Sequence, residues 1–137
     1  MKPIYLLDTC ILSEIVKPAP NPQVLQKLSE LEEYCAISMI TWSELWYGIN
    51  LLPECRKKTM LRTFAVDKVQ STFPILPQDQ HSGLILGDLR AKEKQTGTIH
   101  QVLDLQIASI AIANNLILVT HNTKDFQNID SLMMEDW

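Results

Sequence analysis

Leu116-Ile117-Leu118-Val119-Thr120 is the segment that most narrows what this chain can become. Its first four residues are apolar, with no polar alternation. A strand with one wet face alternates, whereas an unbroken apolar run suits a strand covered on both faces, as in a parallel sheet between helix layers. The rest of the chain supplies the partners for such a sheet. Residues 3–7 and 36–39 read as strands, 73–76 as a short one, and 132–134 as a last one. Helical patterns run between them. The spacing predicts helices over 9–16, from an Asn21 cap with Pro22 at the first position to about 31, and over 41–52, where Pro53 ends the run. Further helices are expected over 54–71, with Met60, Leu61, Phe64, Ala65 and the stem of Lys68 as its apolar face, then over 78–95 before Gly97, and over 104–114. Alternation of strand and helix implies right-handed crossovers and a parallel sheet with helices on both faces, an α/β class chain.

A parallel sheet puts all its strand carboxyl ends on one edge, where ligands bind in open α/β sheets. Asp8 closes the run Ile4-Tyr5-Leu6-Leu7. Glu44 follows Cys35 to Ile40, Asp104 opens the helix 104–114, and Asp125 follows the strand 116–120. Four acids at four junctions on one edge point to a carboxylate cluster, which repels itself without a cation.

Each acid also has a structural use. Asp8 and Asp104 can cap the helices they precede, Thr41-x-x-Glu44 fits a capping box, and Asp125 can sit in a first turn near a helix dipole. Glu44 fits this account least well. Ile40, Glu44, Tyr47, Gly48 and Leu51 share one stripe, and Leu45, Ile49 and Leu52 the other, so the helix is expected to be largely buried. A desolvated glutamate needs a cation, a hydrogen-bond partner or a proton. Rigidly held ionised oxygens are the ligands that Mg²⁺ or Mn²⁺ prefers, and such ions stabilise attacking and leaving oxygens in phosphodiester hydrolysis.

The bulk properties fit this picture. A length of 137 residues favours one domain, 1–137. No apolar stretch reaches the roughly 18 residues of a bilayer span. Residues 1–8 lack a signal-peptide pattern, so the expected compartment is the cytoplasm. Cys10, Cys35 and Cys55 cannot form a closed disulfide set and read as free thiols, Cys35 buried. His81, His100 and His121 lack zinc-ligand spacing. A net charge of −4 argues against a non-specific nucleic-acid coat but not against an enzyme with an acidic pocket. Arg56, Lys57, Lys58 and Arg62 form one basic group, and Arg90, Lys92 and Lys94 another; both read as solvated helix faces.

Four motifs in order resemble a PIN domain, most closely the VapC-type toxin ribonucleases of bacterial toxin–antitoxin pairs. They are Tyr5-Leu6-Leu7-Asp8-Thr9-Cys10-Ile11-Leu12-Ser13, Ser38-Met39-Ile40-Thr41-Trp42-Ser43-Glu44-Leu45-Trp46-Tyr47-Gly48, Asp104-Leu105-Gln106-Ile107-Ala108, and Leu118-Val119-Thr120-His121-Asn122-Thr123-Lys124-Asp125-Phe126. The resemblance implies an α/β/α sandwich and an acidic pocket of Asp8, Glu44, Asp104 and Asp125 holding Mg²⁺ or Mn²⁺. Thr9, Thr120 and Asn122 match polar positions that orient the acids. The implied activity is endonucleolytic cleavage of RNA, with tRNA or rRNA as targets, by a metal-activated water. The implied partners are a cognate antitoxin that blocks the pocket and a second copy of the chain in a homodimer; no membrane is involved.

The chain departs from the family pattern in places. Cys10 stands where Asn or Ser is commoner, and reads as a small spacer more than as a reactive thiol. The segment 98–103 lacks the prolines often found there. His121 replaces a commonly basic residue, and is read either as a phosphate contact or as a neutral exposed side chain. Trp42, Trp46 and Tyr47 read as core or dimer-interface residues more than as base-stacking ones. Rival readings are a PIN-fold module that binds RNA or protein without cleaving, and a flap-DNA nuclease, for which the chain lacks insertions. An aspartyl-phosphate phosphatase would need Asp-x-Asp, and Cys10 fills the second acid's place.

Overall fold

The computed structural model describes residues 2–137. Among these, β1 (Tyr5–Leu7), β2 (Cys35–Ser38), β3 (Ile75–Leu76), β4 (Ile117–Val119) and β5 (Met133–Glu135) form one sheet. Its order is β3-β2-β1-β4-β5, and every neighbouring pair is parallel. The chain steps outward from β1 to β2 and β3, then returns to the other side of β1 for β4. The strand order therefore reverses at β1, and a crevice opens between the carboxyl ends of β1 and β4.

The helices are α1 (Thr9–Ile15), α2 (Pro22–Leu31), α3 (Met39–Asn50), α4 (Arg56–Phe64), α5 (Gln70–Thr72), α6 (Gln80–Thr96) and α7 (Val102–Ala113). Short 3-10 turns lie at Glu32–Tyr34 and Thr123–Phe126. The parallel sheet with helices on both faces is the architecture expected from the alternation. Asn21 caps α2 by accepting from the Gln23 amide, with Pro22 at the first position. Gly97 ends α6 at φ 75, a left-handed geometry that glycine adopts without steric cost.

Alternation along the strands divides the core into two. Leu6, Ala36 and Leu118 lie in register and face α7, where Leu105, Ala108, Ile110 and Ala111 are buried. Leu7, Cys35, Ile37 and Val119 face the other way, onto Ile11, Leu12, Val24, Leu28 and Phe73. The unbroken apolar run at β4 is explained: Leu118 belongs to one core and Val119 to the other.

Three expectations need correction. The helix over 54–71 is α4 and α5 joined by a π turn, Ala65–Val69, and its buried stripe is Lys58, Ala65 and Val69. Met60 and Lys68 point to solvent, because they lie around the helix from that stripe. Helix α3 is not largely buried. Ile40, Thr41 and Ile49 face the core, while Met39, Trp46, Tyr47 and Leu51 are exposed. Hydropathy alone cannot tell a core face from a face awaiting a partner. Trp42 alone of the three aromatics packs against the core. Finally, the first basic group is partly internal. Lys58 is buried and donates to Glu54 at 2.8 Å, and Arg62 grips Asn50 Oδ1 at 2.6 and 3.1 Å, closing the α3–α4 connection.

All three cysteines are free; Cys35 is buried, and burial pushes its thiol up to about 12. Among the described residues no helix is long and apolar enough to cross a membrane.

Candidate active site

Asp8 stands where β1 becomes α1, at the reversal of strand order. Its backbone is extended and its amide donates to the Val119 carbonyl, continuing the β1–β4 ladder. Its side chain is 7% exposed and uses both oxygens. Oδ1 accepts from the Thr9 amide at 2.8 Å, capping α1 as its residue type predicts. Oδ2 accepts from the Thr120 hydroxyl at 2.8 Å, directly after β4. The Cys10 thiol approaches the same oxygen at 3.8 Å.

Glu44 enters from the second turn of α3. The capping-box reading fails: Ser38, at the end of β2, caps this helix by accepting from the Thr41 amide at 3.0 Å. Glu44 is thus free of helix duty and turns toward α1, where the Thr9 hydroxyl reaches its Oε1 at a long 3.4 Å. Burial, then the charge on Asp8, raises its carboxyl above the usual range, and the Thr9 bond offsets this in part.

Asp104 is not a cap either. Helix α7 begins two residues earlier, at Val102, so Asp104 occupies its first turn near the positive dipole end. Even so, its carboxyl is pushed up to about 6, by burial first and then by Asp8, Asp125 and Glu44. The charges of Asp8, Asp125 and Glu44 thus all reach Asp104. Asp125, in the 3-10 turn Thr123–Phe126, is the outermost; it lines a cleft of about 640 Å³ with Asp104, His100 and Lys124.

The polar positions behave unequally. Thr9 serves Asp8 through its amide and Glu44 through its hydroxyl. Thr120 gives its proton to Asp8 and accepts from the Asn122 amide at 3.0 Å. Asn122 acts through its backbone: its carbonyl accepts from the Asp125 amide at 2.9 Å, and its side chain makes no capping bond. Cys10 is a half-buried junction, with Thr120 at 3.6 Å and the His121 amide at 3.4 Å. Burial raises its thiol, so the reduced, protonated spacer is the reading that stands. His121 is half-buried and engaged with acids, so the reading as an exposed side chain is corrected. Its Nδ1 lies 2.7 Å from Asp136 and its Nε2 3.9 Å from Glu14, tying the chain's end to α1.

Sequence reasoning passed over His100. Its ring meets Glu93 at 3.0 Å and the Gln127 carbonyl at 2.6 Å, and its amide also donates to Glu93. It fastens the loop before α7 to the segment after Asp125, and its charge works against the acids on Asp104. Because it sits in a loop without periodicity, only its closeness to Asp104 could have flagged it.

The four acids offer oxygen donors of the kind a hard divalent cation takes. Among the described residues, no Lys or Arg makes an ion pair with Asp8, Glu44, Asp104 or Asp125. No Lys or Arg offsets the mutual repulsion at Asp104 and Glu44 through an ion pair, and at Asp104 His100 alone opposes it, as the smallest of the contributions. Among the same residues, no group of three or more His, Cys, Asp or Glu side chains is placed to hold an ion. Mg²⁺ does not need one, since it keeps several waters and takes one or two carboxylates directly. An oxygen-only acidic crevice fits that ion and suits zinc or copper poorly.

Residues 5–132 match the PIN domain family model. The chain is 34% identical over 139 residues to Ribonuclease VapC2 of Rickettsia felis, covering 98% of each. It is 32% identical over 137 residues to Toxin FitB of Neisseria gonorrhoeae, covering 98% of this chain and 99% of the relative. The crystal structure of VapBC2 from Rickettsia felis bound to a DNA fragment from their promoter superposes with a TM-score of 0.84 at 34% identity, over 98% of both chains.

Proposed function

Because the chain belongs to the PIN domain family, we propose that it is a Mg²⁺- or Mn²⁺-dependent endoribonuclease, the toxin of a type II toxin–antitoxin pair. The observation that carries the chemistry is the carboxyl of Asp104, raised to about 6 by burial and by three other acids converging on one crevice. Structural capping explains Asp8 alone. Asp104 and Asp125 lie in first turns near a positive helix end, and Glu44 alone has no helix-building reason to be there.

The residues divide the work. Asp8 is held rigid by Thr9 and Thr120, and forms the floor of the site. Glu44 and Asp104 form its partly buried walls, and Asp125 its solvent-facing lip. Asp104, raised to about 6, is the acid best placed to exchange a proton near neutral pH. A bound divalent ion supplies charge stabilisation at the phosphate and a more acidic water.

The proposed partners are an antitoxin, by likeness to the VapBC2 pair, and a second copy of the chain, for which the exposed Trp46, Tyr47 and Leu51 offer a surface. The test is direct: purified protein is incubated with bulk tRNA and rRNA, with Mn²⁺ or EDTA, beside Asp104→Asn. Cleavage that requires the ion and is lost in the variant supports the proposal. Cleavage that persists in EDTA refutes the metal role, and no cleavage of any RNA refutes the nuclease.

A further inference from the structure

An acidic crevice repels the polyanion it is meant to cut, so cations must stand close enough to hold the strand. The second basic group, read from sequence as a solvated face, becomes specific in the structure. Lys92 is spent on an ion pair with Asp130. Arg90 and Lys94 make no ion pair among the described residues and are exposed. Four residues apart on α6, they share one face, about 6 Å apart along the axis. They line a cleft of about 670 Å³ that ends on Thr98 and Ile99. Those two residues also line the cleft holding Asp104, Asp125 and Lys124. The two clefts thus share Thr98 and Ile99 as a wall: Asp104, Asp125 and Lys124 line one side, and Arg90 and Lys94 the other, together with Glu93, which is held by His100.

That wall is fixed. Gly97 turns the chain, Thr96 donates its hydroxyl to Thr98 at 3.1 Å, and His100 is anchored at its amide and at both ring nitrogens. Ile99 stands between these anchors at 90% exposure, the most exposed large apolar side chain described. A large apolar side chain on a pinned loop tip presents a surface for a planar base or a ribose.

We propose that this wall and α6 form the strand track of the nuclease: RNA leaving the acid crevice crosses Thr98 and Ile99, where Ile99 packs on a base, and Arg90 and Lys94 each take a backbone phosphate. The track rests on the nuclease reading and adds its binding surface. Phosphate contacts release counterions, so each one contributes a slope of about −0.7 to log affinity against log salt for a single strand. An apolar contact contributes none.

The test is fluorescence anisotropy of a fluorescein-labelled random-sequence single-stranded RNA with the full chain in EDTA, across a KCl series. Arg90→Ala and Lys94→Ala should each weaken binding about threefold or more and flatten the slope by about 0.7. Ile99→Ala should weaken binding at unchanged slope, and Lys57→Ala should match wild type. With Mn²⁺ and bulk tRNA, the two charge variants should raise KM and leave kcat near wild type. Charge variants with wild-type affinity and slope overturn the track, as does wild-type protein that fails to bind RNA at low salt. Wild-type protein that binds with the expected slope yet cuts nothing overturns the nuclease reading and supports the track. Circular dichroism of each variant establishes that the fold is kept.

Discussion

Thr120 donates its hydroxyl to Asp8 Oδ2 at 2.8 Å, joining two buried side chains 112 positions apart in the chain. This bond spans the crevice between β1 and β4 and sets the direction of the central carboxylate. Thr120→Val keeps the shape and removes the donor. Leaving a buried acceptor unpaired costs about 1–3 kcal/mol, so urea unfolding should shift by that amount. RNA cleavage should fall as well, and Thr120→Ser should recover both. A Thr120→Val protein with wild-type stability and rate would show that the bond orients nothing.

Glu44 and Ser38 can be separated by a crossed pair of substitutions. Ser38 caps α3 and Glu44 does not. Ser38→Ala should cost about 0.5–2 kcal/mol. Glu44→Gln should leave stability unchanged or slightly raised, because it removes a charge from a repelling group, while cleavage is lost. If Glu44→Gln cuts RNA at the wild-type rate, Glu44 has no part in the site.

Divalent ions should raise the melting temperature, because an ion bound only by the folded state stabilises it by linkage. Mn²⁺ and Mg²⁺ are expected to act in the millimolar range or below, and Asp8→Asn should weaken the response. A melting curve that stays flat to millimolar Mn²⁺ would remove the metal from the site.

The raised carboxyl of Asp104 fixes a pH dependence. The folded state holds this proton to about 6, whereas the unfolded chain releases it near 3.8. Its favourable contribution is complete below the lower value and is lost as pH rises through about 6. The metal-free stability difference between wild type and Asp104→Asn should therefore shift against the wild type between about pH 4 and 6. Ion affinity should run the other way, rising across the same interval as the proton leaves. Calorimetry at several pH values reads both, and an ion affinity independent of pH across this interval would contradict the assignment.

The exposed stripe on α3 calls for a cover. Trp46, Tyr47 and Leu51 lie toward the helix end remote from the acid edge, and Tyr47 and Leu51 are each 66% exposed. Sedimentation of the protein alone should show a dimer at micromolar concentration, and Tyr47→Asp with Leu51→Asp should shift it to monomer. Wild-type protein that sediments only as monomer would leave the stripe to the antitoxin.

Much of this was legible because parallel strands leave an unbroken apolar signature. The β4 run, the Asn21-Pro22 helix start and the Gly97 stop are each local, and each appeared where expected. The four acids were legible for the same reason, since strand ends and helix starts on one sheet edge are nearby in space. What failed was competition between equivalent local signals. Ser38 and Thr41 are both good caps, and the end of β2 decided for Ser38. Asp104 looks like a cap until α7 is seen to begin at Val102. The solvent face of α3 and the His100 bridge depend on what lies opposite them in space, and that is not encoded within a helical turn.

The reversal of strand order at β1 also has a bearing on synthesis. The proposed site draws on positions 8, 44, 104, 120 and 125, so no contiguous fragment carries it. On a ribosome, the first hundred residues can form β1, β2 and β3 but lack the carboxylate of Asp104, the hydroxyl that aims Asp8, and the lip at Asp125. A nuclease so arranged is inert as a nascent chain. It arms only when β4 slots in beside the first strand, which leaves an antitoxin the whole of elongation in which to be present before there is anything to inhibit.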